Sequence, residues 1–291
     1  PPLAAGARLL VGLHVLVPLA GAPVGAGQAE RVEIETGTAG SAVALRRAVA
    51  GGARLDCAAL FGAGDDALAQ TRSAFERAEA LLEAAGMTFG DVVRTWIHLR
   101  DIDRDYDALN AGRRAFFTSR GLASPPASTG IGGGPSAPDR ALCLGFEAVR
   151  RPGTPRPLVL HAPTLNEAPE YGADFVRGLR VEAGNVSTLH VSGTASVDEA
   201  GRTAHPGDFD AQAERMLRNV RALLEGQGAD FGDVVSAITY LKHRADADRL
   251  RAALAAAGFE GFPHALVEAP VCRPDLLCET EAIAHGAPRP S

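Results

Sequence analysis

The stretch "AEALLEAAGMTFGDVVRTWIHL", residues 78–99, returns as "VRALLEGQGADFGDVVSAITYL", residues 220–241, with about half its positions identical and no gap. Self-similarity of that length marks a duplicated structural unit, and every other assignment hangs on it. Each copy reads as an amphipathic helix with its leucines on one face and a stop at Gly86 or Gly228. A β-branched strand follows, 92–99 in one copy and 234–241 in the other. The same offset pairs Gln70 with Gln212.

Outward from the repeat, a second helix is predicted in each half. It is "DYDALNAGRRAFFTSRG" (105–121) in the first and "ADADRLRAALAAAG" (245–258), stopped by Gly258, in the second. Strands, a long helix, a strand, a second helix and a closing strand make an α+β fold, two tandem domains each with a mixed sheet and its helices on one face. The Pro/Gly/Arg segment "RRPGTPRP" (150–157) reads as the linker, and "LVLHAP" opens the second half as a strand. The expected domains are therefore 1–152 and 153–291.

The closing segments also align, "ALCLGFEAV" (141–149) with "DLLCETEAI" (275–283). Glu147 corresponds to Glu281, but Gly145 stands where Glu279 does. A carboxylate present in both copies reads as scaffold; one present in a single copy is free for chemistry. The whole stretch "APVCRPDLLCETEAIA" (269–284) is expected to be one strand, with Glu279 and Glu281 on the face of Leu277 and Ile283. The competing reading is a solvated edge strand carrying protective charges.

Composition narrows the function. At 291 residues, with 46% hydrophobic and 22% charged residues, the chain can bury two ordinary cores. A net charge of −6 with no Lys/Arg run argues against nucleic acid or an anionic membrane as partner. The four cysteines, Cys57, Cys143, Cys272 and Cys278, form no CxxC pair and read as reduced thiols of a cytoplasmic protein. Eight histidines include no HExxH, so no metal is expected. Near the start, "ARLLVGLHVLVPLAGAPVGAG" (7–27) has the flavour of a secretory signal. His14 and Pro18 interrupt it, it is too short to span a bilayer, and strand followed by turn is the preferred reading. The sequence opens on proline, which is read as a trimmed start.

"SGTASVDEAGRTAHPGDFDAQAERMLRNVRALLEGQGADFGDVVSAITYL" (192–241) followed by "LLCETEAIA" (276–284) resembles the Rid family of enamine/imine deaminases. That family holds its substrate carboxylate with an arginine in a PAR(S) segment. This chain has "SPPASTG" (124–130) and "FPHALVE" (262–268) there, both without the arginine, which disfavours ordinary deaminase chemistry.

A closer resemblance is to the chorismatase family, in which two Rid-like (chorismate-mutase-like) halves share one chain. It rests on "RTWIHLRDID" (94–103), "LNAGRRAFF" (109–117), "PASTGIG" (126–132), "PEYGADFVRG" (169–178), "VSGTASV" (191–197) and "VCRPDLLCETE" (271–281). Ile97-His98 and Glu170 depart from the family pattern. The resemblance implies chorismate or a close relative as the small-molecule substrate, pyruvate as one product, and neither metal nor redox cofactor. It places the catalytic acid at Glu279. Gly193 and Cys272 match the members that aromatise the ring to 3-hydroxybenzoate, in secondary metabolism, while other members hydrolyse the ether. Rid proteins pack as trimers, so a homo-oligomer is compatible with the resemblance.

The residues carry an argument of their own. Cleaving an enol ether requires protonating carbon, so the donor must be a carboxylic acid kept protonated near neutral pH by desolvation. Glu279 meets this if its face lines a cleft. Two substrate carboxylates call for guanidinium partners, and Arg113, Arg177 and Arg273 are the candidates. Tyr171 and Phe175 would wall the ring. Cys272 would relay a proton or shape the pocket, and Gly193 would leave room for substrate against the backbone. Surface arginines and ordinary core packing are the bland alternatives for these residues.

Overall fold

The computed structural model describes residues 29–35, 40–49, 51–135, 137–153, 156–183 and 186–287. The segment 7–27, expected to form a strand and turn, lies outside them, as does the side chain of Tyr171. The first half runs β1 (Ala29–Glu35), β2 (Ser41–Val49), β3 (Gly52–Leu60), α1 (Ala67–Ala84), β4 (Val92–Leu99), α2 (Ile102–Ser119), β5 (Ala127–Gly132) and β6 (Leu142–Arg150). The second runs β7 (Leu158–Val159), β8 (Gly178–Ala183), β9 (Val186–Ala195), α3 (Phe209–Glu225), β10 (Val234–Leu241), α4 (Ala247–Ala257), β11 (His264–Glu268) and β12 (Cys278–Gly286).

Among the described residues two six-stranded sheets result, ordered β1-β2-β3-β6-β4-β5 and β11-β10-β12-β9-β8-β7. Read from opposite ends they are the same topology, with one parallel pair each, β4 with β5 and β10 with β11. The duplication seen in the sequence is therefore a duplication of fold. The repeated FGD has a local cause: Asp91 and Asp233 accept hydrogen bonds from the backbone N–H of Thr88 (2.8 Å) and Asp230 (2.9 Å), closing the turn that launches β4 or β10. The repeated glutamine has one too. Gln70 Oε1 accepts from Ala141 N at 2.7 Å and Gln212 Oε1 from Leu277 N at 2.9 Å, so each fixes the approach to its closing strand.

Each long helix starts at an aspartate cap, Asp66 to Ala69 N (2.7 Å) and Asp208 to Ala211 N (3.1 Å), a contact worth about 1 kcal/mol. Beyond the helix ends, Gly86 (φ 71°) and Gly228 (φ 72°) take the left-handed conformation that glycine adopts without strain. One apolar cluster fills the helix side of the first sheet, centred on Leu55, Phe75, Leu81, Leu99 and Phe146. Its counterpart holds Leu189, Met216, Leu223, Phe259 and Cys278. Burying each such side chain contributes about 1.5–3 kcal/mol.

Two strand expectations change. The stretch 269–284 is not one strand: β12 begins only at Cys278, and 269–277 is loop and turn. Pro270 and Pro274 carry no N–H to give a ladder, which accounts for the late start. Leu277 consequently packs with the helix-side cluster rather than sharing a face with Glu279. The strand of "LVLHAP" shrinks to Leu158–Val159.

The halves meet through β5, which runs against β9 of the other sheet. Ser128 N donates to Ser192 Oγ (3.0 Å), Gly193 N to Thr129 Oγ1 (3.0 Å) and Gly132 N to Pro270 O (2.8 Å). Apolar side chains close the seam, Val93 and Ala127 from the first half against Val176, Leu179 and Val181 from the second.

Candidate active site

Strand β12 alternates strictly. Cys278, Ala282 and Ala284 belong to the helix-side core, and Thr280 donates its hydroxyl hydrogen toward Met216 Sδ at 3.3 Å. Period two therefore turns Glu279 and Glu281 to the opposite face, toward the first half. Glu279 is 4% exposed and lines a narrow cleft between the halves, about 430 Å³ of empty space when its open mouth is included. Arg113, Phe175, Arg177, Gly193, Cys272 and Arg273 line the same cleft. Seven of the eight residues singled out in the sequence thus converge, and the eighth, Tyr171, ends the short turn Ala168–Tyr171 just before Phe175.

The arginines come from three places in the chain. Arg113 lies on α2 and donates to Asn110 Oδ1 at 2.6 Å, one helical turn back. Gly112 beside it lets α2 approach α1: a Cβ there would lie 2.7 Å from Thr71 Cγ2. Arg177 is bracketed by Asn166, with Nε on the backbone carbonyl (2.9 Å) and a terminal nitrogen on Oδ1 (3.1 Å). Arg273 donates to Gly201 O at 2.8 Å. Arg113 and Arg177 both lie over the Phe175 ring, with Cζ atoms 5.5 and 5.6 Å from its centroid.

Burial raises the Glu279 pKa to about 8, and the neighbouring Glu281 carboxylate adds to the effect; Arg94, Arg177 and Arg273 oppose it without cancelling it. Burial likewise pushes the Cys272 thiol up to about 12, with the nearby Glu279 contributing and a hydrogen bond with Tyr106 opposing. At neutral pH the cleft accordingly offers a neutral acid, a neutral thiol and three guanidinium groups. Such a set can bind a carboxylate-bearing small molecule and give it a proton.

Gly193 differs from expectation. The space a side chain would take is filled by Glu279, whose Oε1 would lie 2.0 Å from a Cβ at 193. The missing side chain makes room for the acid rather than directly for substrate. Glu170, where the sequence departs from the chorismatase pattern, is exposed and outside the cleft lining.

Tyr106, Ser128 and Gly130 also line the cleft and were not singled out by sequence. Tyr106 lies seven residues before Arg113 on α2, the spacing of one helix face, and Ser128 and Gly130 alternate along β5. Those periodicities were readable once Arg113 and the "PASTGIG" segment had been chosen. Among the described residues no group of three His, Cys, Asp or Glu is placed to hold a metal ion. Among them, too, no helix is long and apolar enough to cross a membrane.

The fold and cleft define a tandem α+β protein with this candidate site between its halves. The endoribonuclease L-PSP family matches residues 48–135 and 166–286, one copy in each half, and the chain belongs to this family. A 2-iminobutanoate/2-iminopropanoate deaminase of Salmonella typhimurium is 38% identical over 64 residues, 22% of this chain and 49% of the deaminase. The chain thus spans about half the length of the curated deaminases it matches. A RutC family protein of Pyrococcus horikoshii is 31% identical over 106 residues, 36% of this chain and 82% of that protein. Among solved structures, a chorismatase superposes with a TM-score of 0.70 at 22% identity, covering 87% of this chain and 78% of the chorismatase. Unlike the single-unit relatives, that structure shares the tandem arrangement of both halves.

Proposed function

We propose that the protein is a chorismatase that cleaves the enolpyruvyl ether of chorismate, or of a close relative, by general-acid protonation. The observation that carries this reading is a carboxylic acid, Glu279, with its pKa raised to about 8 in a cleft that also presents Arg113, Arg177 and Arg273. Glu279 protonates the methylene carbon of the enol ether, which becomes a methyl group and leaves an oxocarbenium ion. Water or a ring hydroxyl adds to that ion, and collapse of the adduct releases pyruvate while a proton returns to Glu279. The arginines hold the two substrate carboxylates, and Tyr171 and Phe175 flank the ring. Gly193 and Cys272 favour the aromatising outcome, in which chorismate rearranges to 3-hydroxybenzoate and pyruvate without net addition of water.

In this reading residues 1–152 supply Arg113 and one wall, 153–291 supply the acid, no cofactor is needed, and the enzyme serves secondary metabolism in the cytoplasm, alone or as a homo-oligomer. A Rid-like imine deaminase is the second reading, favoured by the identity to the Salmonella deaminase. The two are separated by supplying chorismate in one arm and 2-iminopropanoate generated in situ in the other. Pyruvate and an aromatic acid from chorismate support the proposal; accelerated imine hydrolysis with no turnover of chorismate overturns it.

A further inference from the structure

Glu281, read from sequence as scaffold because Glu147 matches it, is held from across the seam. Its Oε2 accepts from Arg94 at 2.9 Å and its Oε1 from Trp96 Nε1 at 2.8 Å, both on β4 of the other half. Arg94 is only 2% exposed, and its guanidinium also donates to Thr129 Oγ1 on β5. The same Oγ1 accepts from Gly193 N, and Gly193 is the residue against which the Glu279 carboxylate rests. A continuous set of contacts therefore leads from Glu281 through Arg94, Thr129 and Gly193 to Glu279.

We propose that Glu281 is the positioning residue of this site: its carboxylate, fixed by Arg94 and Trp96, sets the charge environment of Glu279, and Arg94 ties it through Thr129 to the Gly193 wall on which Glu279 rests. The inference rests on the reading of Glu279 as the proton donor. Like charges on one buried strand face disfavour ionising both. The groups facing Glu279 or sharing its cleft from other elements are Arg177, Arg273 and Cys272 from the loops, Arg113 and Tyr106 from α2, Tyr240 from β10, and Arg94 from β4. The guanidinium groups pull the other way, and the charge at 281 works against them, adding to burial, which is the larger cause. The first half then has two duties, lining the cleft and setting the donor's protonation.

The test uses the full chain labelled with carbon-13 at its glutamate carboxyls, the Glu279 resonance being the one lost in Glu279→Gln. In Glu281→Gln the Glu279 midpoint should fall by about one pH unit, because a negative charge is removed and Arg94 loses its partner. The alkaline limb of the pH profile for pyruvate release from chorismate should move down with it, with KM changing less than about twofold. Glu281→Asp, which keeps the charge, should restore most of the shift. If the single variant does not fold, Arg94→Gln with Glu281→Gln leaves no lone buried charge and should still lower the midpoint. An unchanged midpoint in the folded variant overturns the proposal. Wild-type protein that releases no pyruvate sinks the assigned reaction instead, while the titration still decides the role of Glu281.

Discussion

The Glu279 carboxylate rests against the Cα of Gly193, so that a Cβ at 193 would fall 2.0 Å from Oε1 and 2.9 Å from Cδ. The obstructed group is the far end of a flexible side chain, so Gly193→Ala should fold, with a stability change on the order of 1 kcal/mol. The added methyl swings the acid away from its wall. Turnover of chorismate should fall several-fold and the product ratio should shift, read by chromatography of the aromatic and dihydroxy acids. An unaltered rate and ratio would show that the contact has no bearing on the acid's placement.

Replacing the acid itself is the sharper intervention. Glu279→Gln keeps the shape of the side chain but has no proton to transfer, so pyruvate release should drop by roughly 100-fold to 10,000-fold. Circular dichroism and thermal melting should show a folded protein. Substantial residual turnover would remove Glu279 from the role of donor.

How much of this was legible beforehand depends on distance along the chain. The helix and strand of each repeat, the stops at Gly86 and Gly228 and the role of Glu279 as the odd carboxylate follow from local pattern and internal alignment. The Arg94–Glu281 pair does not, because its members are 187 positions apart and nothing in either motif names the other. The start of β12 was misread because an alternating pattern continued through Pro270 and Pro274, where backbone hydrogen bonding cannot. Gly193 was recognised as a place needing room, but what fills that room is set by packing across the seam.

The arginines should be separable from the acid kinetically. Arg177→Met removes a guanidinium bracketed by Asn166, and a lost charge-assisted hydrogen bond costs about 1.5–3 kcal/mol. KM for chorismate, or Kd for 3-hydroxybenzoate by calorimetry, should rise roughly tenfold to 100-fold. Asn110→Ala, which frees Arg113, should act in the same direction more weakly. Binding that is indifferent to both would move the carboxylate site elsewhere.

Cys272 should be chemically quiet. With its thiol pushed up to about 12, only roughly one molecule in ten thousand carries the thiolate at pH 8. Iodoacetamide should therefore leave Cys272 unmodified over a time that alkylates an ordinary surface thiol, as followed by peptide mass spectrometry. Rapid alkylation at neutral pH would contradict a neutral thiol beside Glu279.

Stability against pH offers a test independent of any substrate. The folded Glu279 holds its proton to about pH 8, against an ordinary value of 4.5, so between those limits the native state binds more protons than the unfolded one. The contribution of Glu279 to the slope of unfolding free energy with pH is then negative: the stability it provides is lost as pH rises through this window, with no further loss above it. Glu147, raised to about 7 by burial, acts with the same sign about one unit lower and does so equally in wild type and variant. Glu279→Gln cannot ionise, so denaturant melts of wild type and variant should diverge between pH 7 and pH 8, by about 1 kcal/mol over that unit. The variant should be the more stable protein at the alkaline end, the expected signature of a site that holds a costly group for chemistry. Parallel curves across that interval would mean that Glu279 titrates as an ordinary carboxylate, and the cleft would then lack a proton donor at neutral pH.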